Sequence, residues 1–122
     1  MTEEPRRPRP HRILLVEDDP DDYVLLRDVL EDLGSGRYEL TWVSTYEAGL
    51  EQIQLGAHDA CLLDYRLGAH DGLEILREAK NEDLRMPIIF MTGYGDYNVD
   101  VEAMKTGAAD YLVKGDISPQ LL

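Results

Sequence analysis

Short apolar runs alternate five times with helix-length amphipathic stretches along this chain, and that rhythm leaves few folds open. Strands joined by helical crossovers pair in parallel, and a parallel sheet needs cover on both faces. The runs also end in chemistry. Leu14-Leu15-Val16 stops at Glu17-Asp18-Asp19, Ala60-Cys61-Leu62-Leu63 at Asp64, Ile88-Ile89-Phe90-Met91 at Thr92, and Tyr111-Leu112-Val113 at Lys114. In an open parallel sheet ligands bind beyond the C-terminal strand ends, so acid, acid, hydroxyl and amine converge on one crevice. Adjacent carboxylates repel one another and stay ionised at low cost only beside a hard metal, a lysine or open water.

Local signals place the elements. Residues 12–17 form the first predicted strand. Pro20 suits the first turn of a helix capped by Asp19, with Leu26, Val29, Leu30 and Leu33 as its inner stripe and Gly34 as its stop. Tyr38, Leu40 and Trp42 alternate with smaller or polar residues, as in a half-exposed edge strand. Ser44 and Glu47 make a capping-box signature for a helix carrying Tyr46, Gly49, Leu50 and Ile53 to Gly56. Residues 60–64 read as a buried strand, and Asp71-Gly72 opens a helix with Leu73, Leu76 and Ala79 inward. Residues 87–91 form the fourth strand, Asp96 caps the next helix after a loop with two glycines, and residues 109–113 form the fifth. Ser118-Pro119 starts a last helix that is cut at Leu122.

A chain of 122 residues is one domain and buries enough surface to need no staple. The single cysteine, Cys61, excludes an intrachain disulfide and reads as a small core residue of a reducing compartment. With no apolar run near 18 residues and no signal-peptide pattern, no membrane segment is expected and the location reads as cytoplasmic. Arg6, Arg7, Arg9 and Arg12 lie in a Pro/Arg-rich start, so residues 1–11 are expected to be a disordered leader and 12–122 the domain. From Ile13 onward, 8 basic residues face 23 acidic ones. So acidic a body disfavours direct nucleic-acid binding, which rests on phosphate neutralisation by Lys and Arg.

Glu17 and Asp18, Asp64, Thr92, Tyr111 and Lys114, in this order and near strand ends, resemble the site of the response-regulator receiver domain of two-component signal transduction. The likeness runs from Ile13 to about Leu122, with Asp71-Gly72 after Asp64 and Met86-Pro87 before the fourth strand at the family's usual offsets. It implies a flavodoxin-like (βα)5 fold, a doubly wound five-stranded parallel sheet of order 2-1-3-4-5, here with the fifth helix truncated. It also implies that Asp64 is the phosphoacceptor, assisted by Thr92 and Lys114, with Tyr111 as the switch aromatic. Glu17, Asp18, Asp64 and the Arg66 backbone carbonyl would hold Mg2+ or Mn2+. The implied partners are a sensor histidine kinase or phosphotransfer protein and an output domain in the same full-length chain, this piece being its N-terminal module. A homodimer is compatible with the family.

Two departures carry expectations of their own. Lys114 precedes Gly115 where the family commonly has a proline after a cis bond; before glycine a cis bond would cost about 2.5–4 kcal/mol, so trans is expected. Gly68 replaces a common proline and should loosen the loop after Asp64. Arg66 and Tyr94, both large, flank the phosphate position and are expected to slow attack by water. The bland readings are plain: Asp18 and Asp19 as helix caps, Thr92 as a strand-end hydroxyl, Tyr111 as core packing, His70 as a solvated loop residue rather than a ligand. Of the rival functions, an aspartate-nucleophile phosphatase needs Asp-x-Asp on its first strand, whereas Asp19-Pro20-Asp21 falls at a helix start. An EF-hand loop fails for want of the glycine and terminal glutamate. A receiver-like binding module that never takes phosphate usually lacks a site residue, and none is missing here.

Overall fold

The computed structural model describes residues 9–82, 85–93 and 97–116. Within them the order is β1 (His11–Val16), α1 (Pro20–Leu33), β2 (Tyr38–Val43), α2 (Tyr46–Leu55), β3 (Ala60–Asp64), β4 (Arg66–Leu67), β5 (His70–Asp71), α3 (Gly72–Asn81), β6 (Ile88–Thr92), α4 (Tyr97–Thr106) and β7 (Asp110–Val113), then a 3-10 turn at Lys114–Asp116. The main sheet is parallel throughout and runs β2-β1-β3-β6-β7. Counted without the short ribbon β4–β5, that is the expected order 2-1-3-4-5. The order reverses beside β1, whose neighbours are β2 and β3, which opens the crevice at the carboxyl ends of β1 and β3.

Alternation along the strands divides the core in two. Leu14, Val16, Cys61, Leu63 and Phe90 point into the larger half, where Ile53 of α2, Ile75 and Leu76 of α3 and Ala103 of α4 meet them. Leu15, Leu62 and Met91 point the other way, onto Leu26 of α1, with Leu40 and Trp42 packed alongside. Cys61 is fully buried, and burial pushes its thiol pKa up, so it is a core residue rather than a reactive one. Tyr23 stacks on Trp42 at 4.2 Å between ring centroids, clamping α1 to the edge strand.

Most expected boundaries hold to within a residue, and the differences have local causes. β1 starts one residue early because His11 pairs with Tyr38, and its N–H donates to Arg37 O at 2.9 Å. Asp19 caps α1 by accepting from Asp21 N, and Pro20 follows at the first helical position. The cap of α2 is Thr45, not Ser44: Thr45 is extended and its Oγ1 accepts from Ala48 N at 3.2 Å. With Thr45 as cap, Glu47 falls at the second helical position, where it cannot reach back to close a capping box. The expected cap Asp96, the loop residues Tyr94 and Gly95, and the helix start at Ser118-Pro119 lie outside the described residues. No cis peptide occurs among the described residues, so Lys114–Gly115 is trans, as the cost of a non-proline cis bond requires.

Candidate functional site

Lys114 sits at the centre of the crevice. It follows β7 directly, and its Nζ lies 2.8 Å from Glu17 Oε2, 2.8 Å from Asp22 Oδ2 and 3.0 Å from Asp64 Oδ1. Glu17 and Asp64 stand at the ends of the adjacent strands β1 and β3, and Asp22 comes from the first turn of α1. Glu17 is fully buried and Asp64 is 3% exposed, so neither can rely on water to carry its charge. Burial lifts the Glu17 carboxyl from its ordinary 4.5 to about 8, with the Asp64 charge adding to the rise and Lys114 opposing it. Burial raises Asp64 as well, again against the pull of Lys114. For Lys114, burial acts to lower the pKa, but hydrogen bonds to Asp22, Glu17 and Asp64 together outweigh it and hold the ammonium above its ordinary value.

Backbone donors complete the cradle. Asp19 N–H donates to Glu17 Oε1 at 3.1 Å, and the Trp42 indole N–H donates to the Glu17 carbonyl at 2.7 Å. Asp18, exposed, has a carboxylate that accepts from Gly68 N–H at 3.0 Å. Gly68 is the turn of the β4–β5 ribbon and has φ +63. Gly68, the residue that replaces proline, supplies both the left-handed turn and the N–H that ties this loop to Asp18. Carboxylate oxygens of Glu17, Asp18 and Asp64 lie within 4.8 Å of one another, a grouping fit for a metal ion. A cavity of about 340 Å³ opens beside them, lined by Asp18, Tyr65, Arg66, Gly68, His70 and Asp71.

Gly72 explains the Asp71-Gly72 pair. Its N–H donates to Tyr65 O at 2.7 Å, and a Cβ at this position would collide with the Asp64 backbone carbonyl. Only glycine lets the start of α3 come this close to the strand that presents Asp64. Asp71 caps the same helix through Glu74 N. Arg66 lies with its guanidinium 5.8 Å from the centre of the Tyr65 ring. His70 is not in the carboxylate grouping: its ring stacks on Tyr46 at 4.4 Å and its Nδ1 is 3.2 Å from Glu74 Oε2.

Thr92, fully buried at the end of β6, donates its hydroxyl to Asp100 Oδ1 of α4 at 2.6 Å. Tyr111 is 39% exposed and so presents much of its side chain to solvent. Two functional-looking residues escaped the sequence reading. Asp22 looks like an ordinary first-turn acid, and Asp100 looks like a solvated charge on an amphipathic helix; nothing in either local pattern says that tertiary contacts bring them to Lys114 and Thr92.

The comparisons agree with one another. The family model for the response regulator receiver domain matches residues 13–122. The transcriptional regulatory protein ZraR of Escherichia coli K12 is 35% identical over 102 residues, 84% of this chain and 22% of that protein. The response regulator protein FleR of Pseudomonas aeruginosa is 38% identical over 104 residues, 84% of this chain and 21% of that protein. The chain thus spans about a fifth of the length of these curated relatives. Among solved structures, a putative response regulator from Chloroflexus aurantiacus superposes with a TM-score of 0.80 at 32% identity, covering 92% of this chain and 90% of its own. The receiver domain of the sensor histidine kinase PA1611 from Pseudomonas aeruginosa, with a magnesium ion coordinated in its active-site cleft, gives 0.77 at 31% identity, covering 92% and 91%.

Proposed function

Since this chain belongs to the response regulator receiver domain family, we propose that Asp64 accepts a phosphoryl group from a phosphohistidine on a sensor histidine kinase or phosphotransfer protein. The observation that carries the reading is the 3.0 Å pair of Lys114 Nζ with Asp64 Oδ1 inside a buried nest of acids at the switch point of the sheet. A carboxylate oxygen of Asp64 attacks phosphorus, the P–N bond breaks, and its electron pair leaves on the imidazole of the partner. An acyl phosphate forms on Asp64. The chain acts as a phosphoacceptor that assists its own phosphorylation and dephosphorylation, not as an enzyme with a turnover substrate.

Glu17, Asp18, Asp64 and the Arg66 backbone carbonyl would hold Mg2+ or Mn2+. The fit rests on an all-oxygen donor set and on carboxylate oxygens of Glu17, Asp18 and Asp64 grouped within 4.8 Å of one another. Such an ion supplies neutralisation of the phosphoryl oxygens when bound. Lys114 offers its ammonium to one phosphoryl oxygen, releasing part of its hold on the acids, and the Thr92 hydroxyl bonds another. Tyr111 then turns inward and changes the face formed with α4. Residues 12–122 form the domain and 1–11 a leader, in the N-terminal module of a longer cytoplasmic signalling protein that carries its own output domain. Homodimerisation through the switched face is compatible with this reading, and direct nucleic-acid binding is disfavoured by the acidic body. No helix among the described residues is long and apolar enough to cross a membrane.

The test is intact-protein mass after incubation with acetyl phosphate and Mg2+. One phosphoryl adduct is expected, lost on chelation and in Asp64→Asn. A folded wild type that takes no adduct would sink the reading in favour of a phosphate-independent binding module.

A further inference from the structure

A threonine hydroxyl has one proton to donate. In this structure that proton is in use: Thr92 Oγ1 donates at 2.6 Å to Asp100 Oδ1, between a residue with no exposure and one with 5%. An ionised carboxylate is an acceptor only, and a buried one that loses a donor is costly to leave unsatisfied. Asp100 also lies in the first turn of α4, where the helix dipole favours a negative charge. The bond therefore ties the hydroxyl at the strand end to the helix packed beside it, and the same proton cannot serve a phosphoryl oxygen on Asp64.

We propose that Asp100 is a positioning residue of the phosphoryl site, a buried acceptor that competes with the phosphoryl group for the Thr92 hydroxyl. The proposal rests on the receiver reading above and adds a cost term to it. Phosphorylation has to break the Thr92–Asp100 bond, and the orphaned carboxylate has to be rehoused by movement of α4. That helix carries Val101, 37% exposed, and Met104, 42% exposed, so displacing it alters an apolar surface along with the site. Asp100 thus weakens binding of the phosphoryl group and at the same time routes its arrival to α4.

The experiment measures affinity for beryllofluoride, a phosphoryl mimic, in the presence of Mg2+, read by the fluorescence of Trp42, whose indole is bonded to the Glu17 carbonyl. Asp100→Ala should bind the mimic roughly tenfold more tightly, the scale of one hydrogen bond to a charged group. Affinity for Mg2+ alone should be unchanged, because Asp100 is not among the grouped acids. In a Thr92→Ala background the gain should vanish. Asp100→Asn keeps an uncharged acceptor and should give a smaller gain, which decides the question if the alanine variant fails to fold. Unchanged or weaker binding in the folded Asp100 variants, or the same gain without the Thr92 hydroxyl, overturns the proposal while leaving the receiver reading intact. A wild type that binds no beryllofluoride and takes no phosphoryl group overturns both.

Discussion

Lys114 divides one positive charge among Glu17, Asp22 and Asp64, and two of these belong to the carboxylate group proposed to hold Mg2+. The two cations compete for overlapping oxygens. Lys114→Ala should therefore bind Mg2+ about tenfold more tightly at pH 8.5, since removing a like charge a few ångströms away is worth at least that factor. The same variant should lose its phosphoryl adduct, because the amine partner of the phosphoryl oxygen is gone. A Mg2+ titration followed by Trp42 fluorescence checks the first part, and unchanged or weaker affinity would reject it. His58 gives a second prediction at this scale. It is 8% exposed, neither ring nitrogen has a hydrogen-bond partner among the described residues, and burial lowers its pKa from 6.5, with Arg12 adding to the fall and Glu39 and Asp59 opposing it. A histidine whose pKa is lower in the folded state takes up its proton more readily when unfolded, so stability falls as pH drops below about 6.5. The raised carboxyl of Glu17 gives both proteins the opposite slope over this range, so thermal melts from pH 7.5 to 5.5 should show the His58 loss as a difference, wild type losing stability relative to His58→Leu as pH falls; equal slopes in the two proteins would contradict the assignment.

The β4–β5 ribbon shows what an element too short to carry a pattern can do. Its turn residue Gly68, at φ +63, donates to Asp18, so a two-residue strand pair positions a candidate metal ligand. Gly68→Pro, which restores the residue common in the family, removes the N–H and demands φ near −65. It should cost about 2–3 kcal/mol in denaturant melts and weaken Mg2+ binding severalfold, and full Mg2+ affinity in the folded variant would show that the tie is idle. Such a ribbon was not legible in the sequence, because two residues have no periodicity and Gly68 reads equally as a flexible loop. The long elements were legible: alternation at Tyr38–Val43 and the apolar stripe of Leu26, Val29 and Leu30 mark their faces unambiguously. Between adjacent hydroxyls the Ser44–Glu47 spacing points to Ser44, whereas the extended backbone at Thr45 makes that residue the cap. At the site, the sheet brings the strand-end residues Glu17, Asp18, Asp64 and Lys114 together, and Thr92 stands at the end of the neighbouring strand β6. Asp22 and Asp100 were invisible, since their partners lie 92 and 8 residues away and are chosen by packing.

Over the whole molecule, a formal charge of −13 on 122 residues opposes compaction, and the acids at the carboxyl ends of β1 and β3 concentrate that repulsion at one crevice. Two effects of added cations follow, and they separate. Raising NaCl from about 10 to about 150 mM shortens the screening length from about 30 to about 8 Å, which weakens the long-range repulsion and should raise Tm by a few degrees in the presence of chelator. Contacts of 2.8–3.0 Å inside a buried cluster are too short and too dry for that screening to reach. Millimolar Mg2+ added at 150 mM salt should therefore give a further rise through direct binding to the folded state. Asp64→Asn removes one charge from the cluster, so its Tm in chelator should exceed that of wild type while its Mg2+ increment shrinks. Equal Mg2+ increments in wild type and Asp64→Asn at 150 mM salt would mean that Mg2+ acts as general ionic strength, and would remove the metal from the account of the site.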